Sequence, residues 1–564
     1  MSDPREPAEQ LTLQGVGVGR GMVVGPVAKA YPSPVIPASG GGDPERLEAA
    51  FRQVAEGLQA RADAASGALA DVLAATAMMA SDPSLLDEAT KRVAAGETPA
   101  HAVDRAIGQF AEMFTAAGGV LAERVTDLHS VRDRVVSVLL DLPEPGVPPL
   151  QEPSVVVASD LSPADTAALD VSRVLAIVIG HGGPTGHTAI IAGQLGIPCV
   201  VRATGAMRLE NGQEVAVDAA AGTVVTNPGP ELRARAQARA EAAALLTNDT
   251  DPGATADGHP VALLANIGTV ADAERSAAGA VEGVGLFRTE VLFLERSTAP
   301  TEDEQAAVYA QVLRAFEGRK VVVRTLDAGA DKPMAFASQP DEENPALGVR
   351  GYRLVRRVPD LLRTQLTALA RAARETGSSP WVMAPMIATA QEAADFAALA
   401  REAGLGDDCR IGVMVEVPAA ALRAREVLAH VDFVSIGTND LAQYTMATDR
   451  LRGTLVDLLD PFQPAVLDLV AATARAGADV SQPVGVCGES AADPLMAVVL
   501  TGLGVTSLSM SLGAVPAVRH VLRRHTLAQC EEAARAALAA SSADEARAAV
   551  RALIDPQVVE TLAL

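Results

Sequence analysis

The sequence of 564 residues has little cysteine and a deficit of positive charge. Its four cysteines form no CxxC pair, which argues against a zinc knuckle or a disulfide framework and fits a reducing cytoplasm. There are 70 Asp and Glu residues against 46 Lys and Arg, so the formal net charge is -24. This balance argues against nucleic acid or an anionic membrane as a partner.

Membrane-spanning sequence is also scarce. One uncharged stretch, residues 494–518, is long enough to cross a bilayer, but Gly502, Gly504 and Pro516 interrupt it. We interpret this stretch as a helix followed by a buried strand, and we expect no membrane insertion. The first ten residues are acidic and contain proline without an apolar core, so we expect no signal peptide and a cytoplasmic location.

The first half of the chain changes character twice. Residues 11–31 alternate glycine with valine, which indicates strands and tight turns. Residues 43–142 are rich in Ala, Leu and Glu, with apolar residues at helical spacing, which predicts a helical bundle. Strand patterns then return from residue 154 to about residue 227, so we predict a small α/β domain with a helical insertion. A charged helical segment, residues 231–246, has no strand partners and is typical of a linker.

The second half is regular, with eight apolar strand-like runs separated by helical patterns. The runs are residues 261–267, 283–289, 321–326, 382–386, 411–417, 433–437, 483–488 and 505–510. Eight alternating strand and helix units predict a closed (β/α)8 barrel. The predicted domains are the α/β domain at 1–35 and 143–230, the helical insertion at 36–142, the linker helix at 231–252 and the barrel at 253–564.

Four arginines lie at the ends of predicted barrel strands or in the loops that follow them. They are Arg288, Arg324, Arg350 and Arg450. Because the carboxyl ends of barrel strands meet at one mouth, we expect these side chains to converge there. Guanidinium groups match carboxylate and phosphate oxygens, so the set predicts a clamp for a small dianion such as a phosphorylated carboxylic acid. A salt bridge at the rim is the alternative for any single one of them.

Other polar residues follow the same strand ends. Glu416 and Asp440 are hard oxygen ligands that suit Mg2+ when substrate oxygens and water complete the coordination, although helix capping is the alternative. Asn439 offers an amide donor to a substrate oxygen. Cys487 has a thiol that could donate a proton, act as a nucleophile, or simply pack.

A second candidate site lies in the α/β domain. A glycine-rich turn, residues 182–186, leads from a predicted strand at 172–179 to His187 and a predicted helix at 188–195. Backbone amides and the helix dipole attract phosphate at the first turn of a helix, so an exposed imidazole there suits phosphate chemistry. A capping or solvent-facing histidine is the alternative.

Seven sequence segments carry a family resemblance. They are GGPTGHTAIIA, GLFRTE, RTLDAGADKP, NPALGVR, IGVMVEVPAA, FVSIGTNDLAQYTMATDR and GVCGES. In this order and spacing they resemble the enzyme I family of bacterial phosphoenolpyruvate-dependent sugar phosphotransferase systems, over nearly the whole chain. The GGxT-x-H element is shared with pyruvate phosphate dikinase and phosphoenolpyruvate synthase, whereas the long FVSIGTNDLAQYTMATDR run is highly specific.

The resemblance implies roles for the two candidate sites. It implies that His187, in a phosphohistidine domain, takes the phosphoryl group, that Cys487 protonates the enolate carbon, and that Glu416 and Asp440 ligate Mg2+. The residues implied to hold phosphoenolpyruvate are Arg288, Arg324, Asn439, Asp440 and Arg450. It further implies transfer to a histidine of the phosphocarrier protein HPr, docked on the helical insertion, with release of pyruvate as the first step of sugar uptake, and a homodimer through the barrel.

Three positions depart from the family pattern. Gly186 and Gly193 stand where the family usually has serine and arginine, and Thr76 stands where it often has histidine. Loss of a hydroxyl and a cation near His187 weakens the stabilisation expected for a phosphohistidine, and the change at Thr76 bears on the identity of the carrier. Two alternatives follow: a catalytically impaired scaffold that senses phosphoenolpyruvate, and a paralogue that feeds a regulatory phosphorelay.

Overall fold

The computed structural model divides the chain into two compact units, Met1–Glu241 and Ala242–Leu564. The structure describes residues 10–19, 21–37, 42–64, 68–117, 124–161, 165, 169–170, 172–183, 188–189, 192–193, 196–293, 296, 298–328, 334, 336–337, 342, 344–449 and 453–564. His187, Gly186 and Arg450 therefore lie outside the described residues.

The first unit contains an eight-stranded mixed sheet. Its strands are β1 (Thr12–Gln14), β2 (Val16–Val18), β3 (Met22–Lys29), β4 (Ser154–Ala158), β5 (Val174–Ile179), β6 (Cys199–Val201), β7 (Glu214–Asp218) and β8 (Thr223–Thr226), in the order β1-β8-β7-β3-β4-β5-β6-β2. All five residues of β4 are buried, as expected of a β-branched central strand covered on both faces. The predicted α/β fold with strands on either side of a helical segment is confirmed.

The helical segment between β3 and β4 has its own core. Its helices are α1 (Leu47–Ala64), α2 (Ala68–Ala80), α3 (Pro83–Ala94), α4 (Pro99–Ala117) and α5 (Val125–Leu139). Leu58, Ile107 and Leu128 are buried together at the centre of this bundle. Beyond β8, α6 (Pro230–Thr247) forms the predicted charged helix, and the division between the two units falls within it.

The second unit is a closed barrel of eight parallel strands. The strands are β9 (Ala262–Ile267), β10 (Gly283–Arg288), β11 (Lys320–Arg324), β12 (Trp381–Ala384), β13 (Arg410–Val415), β14 (Phe433–Ile436), β15 (Val484–Val486) and β16 (Ser507–Met510). Each coincides with one of the eight predicted runs, so the (β/α)8 prediction is confirmed.

Helices surround this barrel and extend beyond it. They are α7 (Val270–Ala278), α8 (Glu302–Ala315), α9 (Pro359–Thr376), α10 (Ala390–Glu402), α11 (Pro418–Leu422), α12 (Ala424–Leu428), α13 (Thr438–Thr445), α14 (Pro464–Asp479), α15 (Pro494–Gly502), α16 (Val515–Arg523), α17 (Leu527–Ala539), α18 (Ala543–Leu553) and α19 (Pro556–Leu562). The uncharged stretch at 494–518 is a helix, α15, followed by the buried strand β16, as predicted. Among the helices that the structure describes, none is long and apolar enough to cross a membrane.

Short 3-10 turns complete the connections of both units. They are Pro44–Arg46, Ala206–Arg208, Thr289–Leu292, Pro345–Leu347, Gly351–Arg356, Gly453–Leu459, Glu489–Ala492 and Leu512–Ala514. Three of them, Thr289–Leu292, Gly351–Arg356 and Glu489–Ala492, start directly after Arg288, Arg350 and Gly488. At the carboxyl end of the barrel, 3-10 turns therefore lie next to several candidate site residues.

Candidate active site

The carboxyl ends of the barrel strands carry most of the predicted site residues. Arg288 and Arg324 end β10 and β11, and Glu416 directly follows β13. Asp440 lies in the first turn of α13, four residues beyond the end of β14, and not on a strand itself. Cys487 directly follows β15. Since all eight strands are parallel, these residues share one mouth of the barrel, where barrel enzymes place their chemistry.

Arg324 is buried between two carboxylates. Its Nη2 donates to Glu290 Oε1 at 2.7 Å, and its Nη1 lies 3.1 Å from Asp327 Oδ2. Burial disfavours the charged guanidinium, but the two carboxylates outweigh burial and raise the pKa of Arg324. Arg324 is therefore a permanent cation held in a fixed position.

Arg350 extends the same array of charges. Its Nη2 donates to Asp327 Oδ2 at 3.1 Å and its Nη1 to Asp440 Oδ1 at 3.2 Å, so Asp327 bridges the two buried arginines. Nη1 also lies 3.4 Å from the hydroxyl of Tyr444, which donates to the carbonyl of Ala346. Two arginines of the predicted clamp, Arg324 and Arg350, thus belong to a buried network of arginines and carboxylates.

The backbone next to Arg350 lies close to Met386 and to the side chain of Asp327. The next residue, Gly351, has a φ of +57°, and a Cβ there would come within 2.8 Å of Met386 and 3.3 Å of the Asp327 side chain. Only glycine tolerates both the left-handed conformation and this contact. Gly351 therefore allows Arg350 to reach Asp327 and Asp440.

Glu416 is fully buried beside this network. Its Oε1 accepts a hydrogen bond from the backbone N–H of Met386 at 2.6 Å. Met386 has a φ of 60°, which is unusual for an unbranched side chain in a buried loop and marks local strain of the kind that functional sites carry. Burial, and then the charges of Asp440 and Asp327, raise the pKa of Glu416. A cation among these carboxylates would relieve their repulsion.

Asn439 and Cys487 lie on neighbouring loops. Asn439 is half-buried, and its Oδ1 accepts the backbone N–H of Glu489 at 3.1 Å. Cys487 is buried, and its Sγ lies 3.6 Å from the carbonyl of Ile436. Burial raises the pKa of the thiol, although a hydrogen bond with Ser435 and the charges of Arg324 and Arg288 oppose the rise. The thiol is therefore protonated at neutral pH.

Arg288 differs from the two buried arginines because its side chain is exposed. No hydrogen bond or ion pair joins it to another residue in the part of the chain that the structure describes. An exposed cation at the mouth, beside two buried cations, is suited to meet an incoming anion.

The first unit provides the turn that precedes His187. The strand predicted at 172–179 is β5, and Gly182 follows it with a φ of +78°. The carbonyl of Gly182 accepts a hydrogen bond from Arg202 Nε at 3.0 Å, which holds the turn. Thr188 is helical and buried, and its hydroxyl donates to the carbonyl of Leu161 at 3.3 Å. Hence the described residues on both sides of His187 follow the predicted strand, glycine turn and helix.

Sequence reasoning gave no role to three residues that shape the barrel mouth. Glu290 neutralises Arg324, Met386 orients Glu416 through its backbone, and Tyr444 contacts Arg350. Two of them belong to segments already noted, because Glu290 closes GLFRTE and Tyr444 lies in the long FVSIGTNDLAQYTMATDR run. The position of Glu290 two residues after Arg288 was the available signal for it, whereas nothing in the sequence marks Met386.

Models of one protein family match successive parts of the chain. The N-terminal model of the phosphoenolpyruvate (PEP)-utilising enzymes matches residues 14–124, the mobile-domain model matches residues 150–222, and the PEP-binding-domain model matches residues 242–527. The last match includes all eight barrel strands and the arginine and carboxylate network. The fold and the site thus define an enzyme of the PEP-utilising class.

Individual relatives narrow this class. The chain is 51% identical to a phosphoenolpyruvate-protein phosphotransferase of Streptomyces coelicolor over 557 residues, which cover 97% of this chain and 99% of the relative. A protein of the same name from Haloferax volcanii is 41% identical over 82% of this chain and 83% of its own length. Another from Bacillus subtilis is 36% identical over 96% of this chain and 99% of its own length. The chain belongs to the family of phosphoenolpyruvate-protein phosphotransferases, which confirms the resemblance.

Proposed function

We propose that the protein transfers the phosphoryl group of phosphoenolpyruvate to its own His187 and then to a histidine of a small phosphocarrier protein, HPr, with release of pyruvate as the first step of sugar uptake. The observation that carries this proposal is the buried Arg324, Asp327, Arg350 and Asp440 array at the barrel mouth. The printed names of the relatives support the same reaction.

The arginines supply the anion-binding part of the proposal. We assign Arg288, Arg324, Arg350 and Arg450, with Asn439, to the binding of phosphoenolpyruvate. Arg324 and Arg350 each retain a buried Nε–H with no acceptor among the described residues, although buried donors are nearly always paired in folded proteins. A carboxylate or phosphate oxygen in the network is the kind of acceptor that satisfies such donors.

A metal ion completes the proposed site, and we propose that it is Mg2+ held by Glu416 and Asp440. The carboxylates fit a hard cation because they are buried and repel one another. Two protein ligands leave room for substrate oxygens and water in the coordination shell that Mg2+ prefers. When bound, the ion offsets charge on the phosphoryl group.

The proposed reaction assigns bond changes to two side chains. A neutral imidazole nitrogen of His187 attacks phosphorus in line, the phosphorus–oxygen bond to the enol breaks, and the enolate leaves. The Cys487 thiol gives its proton to the enolate carbon to form pyruvate, and regains a proton from solvent. The raised pKa of Cys487 suits this role because the thiol carries the proton when it is needed.

For the second transfer we propose that the carrier docks on the helical segment of the first unit. Met78 on α2 is 73% exposed and offers an apolar contact for a partner. Thr76, two residues earlier, is fully buried, so the departure from the family pattern at this position falls in the core of the bundle. We expect M78D to slow transfer to the carrier and to leave phosphorylation by phosphoenolpyruvate unchanged.

The resemblance also supports a homodimer through the barrel and a cytoplasmic location. We include the predicted domain boundaries in this proposal.

Single-turnover release of pyruvate tests the proposed phosphoryl transfer. With phosphoenolpyruvate and Mg2+ the protein should release about one equivalent of pyruvate in a burst, and added carrier should convert the burst into repeated turnover. Binding of phosphoenolpyruvate without any pyruvate would support the sensing scaffold instead.

A further inference from the structure

Lys320 occupies an unusual position at the amino end of the barrel, opposite the proposed active site. It begins β11, while Arg324 ends the same strand at the other mouth. Its ammonium lies 3.9 Å from the centre of the Trp381 ring, and it lines a small cavity inside the barrel with Trp381 and Phe433. The two rings themselves pack with centroids 4.7 Å apart.

A second cation shares the same indole. The guanidinium carbon of Arg410, which begins β13, lies 5.2 Å from the centre of the Trp381 ring. In the described part of the chain, neither Lys320 nor Arg410 has an ion pair or a side-chain hydrogen bond. This is unexpected in a protein with a net charge of -24, where a carboxylate partner is easily supplied.

The absence of an acidic partner has a chemical consequence. Burial, and then the charge of Arg410, lower the pKa of Lys320 to about 8. At pH 7.5 about a quarter of such an amine is neutral, against about one in a thousand for an ordinary lysine with a pKa of ~10.4. Lys320 as a whole residue is partly exposed at the amino end of the barrel.

We propose that Lys320 is an acylation site whose donor is a small acyl phosphate held by Arg410. Arg410 is exposed and its guanidinium matches the phosphate group, while the Lys320 amine contacts the same ring. The neutral Nζ attacks the carbonyl carbon, the nitrogen–carbon bond forms as the carbon–oxygen bond to phosphate breaks, and inorganic phosphate leaves with the electron pair. Nζ then loses a proton to solvent and becomes a neutral amide.

The chain offers a clean test because its only lysines are Lys29, Lys91, Lys320 and Lys332, and Trp381 is its single tryptophan. The full-length protein is incubated with acetyl phosphate at pH 7.5, and acetylation at each lysine is followed by peptide mass spectrometry. We expect Lys320 to react about tenfold faster than Lys91 on the surface of α3, since a larger neutral fraction outweighs lower basicity. Equal or slower reaction at Lys320 overturns the proposal.

Two variants test the role of Arg410 and the assignment of the modified residue separately. R410Q should slow acetylation of Lys320 by acetyl phosphate severalfold, but should change its reaction with the uncharged reagent acetic anhydride much less; equal slowing with both reagents overturns the role of Arg410. In the wild type the emission of Trp381 should change in step with acetylation, because the amide ends the cation–π contact. In K320R, which keeps a cation over the ring, the emission should stay constant; a change there shows that the signal comes from another site and overturns the assignment.

Discussion

Arg350 and Asp440 form a buried ion pair in which Nη1 lies 3.2 Å from Oδ1. The two residues are 90 positions apart in the sequence. This pair joins the proposed anion-binding group to one of the proposed metal ligands, and Asp327 continues the connection to Arg324. The proposed substrate and metal sites therefore form one electrostatic unit.

The bridging position of Asp327 predicts a large loss of stability in D327N. Asparagine keeps the shape but leaves two buried arginines short of negative charge, which typically costs about 3–5 kcal/mol. Denaturant unfolding followed by the fluorescence of Trp381 reports on the barrel directly. D303N is the control, because Asp303 pairs with Arg371 but is 82% exposed and should contribute at most about 1 kcal/mol. Similar losses in both variants would show that the bridge is not a special stabilising element.

The environment of Glu416 predicts a pH dependence of stability. Its pKa is raised from 4.5 to about 8, so the folded protein holds this proton more tightly than the unfolded chain. The stabilisation that protonated Glu416 gives the folded protein is therefore complete below the pKa that Glu416 has in the unfolded chain. It is lost as the pH rises towards the pKa that Glu416 has in the folded protein. In the presence of a chelator, the free energy of unfolding of wild type minus that of E416Q should fall between pH 5 and pH 8. A difference that stays constant or rises with pH would contradict the buried, charge-crowded environment.

The protonated thiol of Cys487 predicts a selective kinetic defect. C487A should slow pyruvate formation in a single turnover by about 10²–10⁴-fold, the usual contribution of a positioned acid, while phosphoenolpyruvate binding changes little. C530A is a matched control, because Cys530 is also a buried free thiol of the barrel unit but lies on α17. Equal rates for C487A and C530A would leave Cys487 as a packing residue.

Gly193, which stands where the family usually has arginine, can also be tested by substitution. Gly193 is exposed, and a Cβ at this helical position would meet no atom of the described residues within 4 Å, so a side chain can start there without a clash. We expect G193R to stabilise the first unit by up to about 1 kcal/mol, since glycine is a poor helix former, and to raise the yield of phosphorylated protein, more so together with G186S. G193A provides the helix propensity without the cation. If G193A raises the yield as much as G193R, charge is not the cause.

The fold could be predicted well from the sequence because strands, helices and turns leave patterns in neighbouring residues. Apolar runs separated by helical patterns predicted all eight barrel strands, and the glycine-rich turn predicted at 182–186 begins at Gly182, which has a positive φ. The electrostatic network was less accessible, because it depends on tertiary proximity. Spacing brings Arg324 and Arg350 to the barrel mouth but does not reveal that Asp327 lies between them, and only coordinates show the left-handed Met386 that holds Glu416.

Identification of the phosphorylated residue tests the proposed transfer to His187. The wild-type protein is incubated with radiolabelled phosphoenolpyruvate and Mg2+, with H187A and H181A in parallel. His181 is a suitable control because it is an exposed histidine near the same turn, with Nδ1 3.3 Å from the carbonyl of Ser159. We predict acid-labile, base-stable label on the wild type and on H181A, and none on H187A. Label that persists on H187A, or no label on the wild type, would contradict phosphoryl transfer from phosphoenolpyruvate to His187.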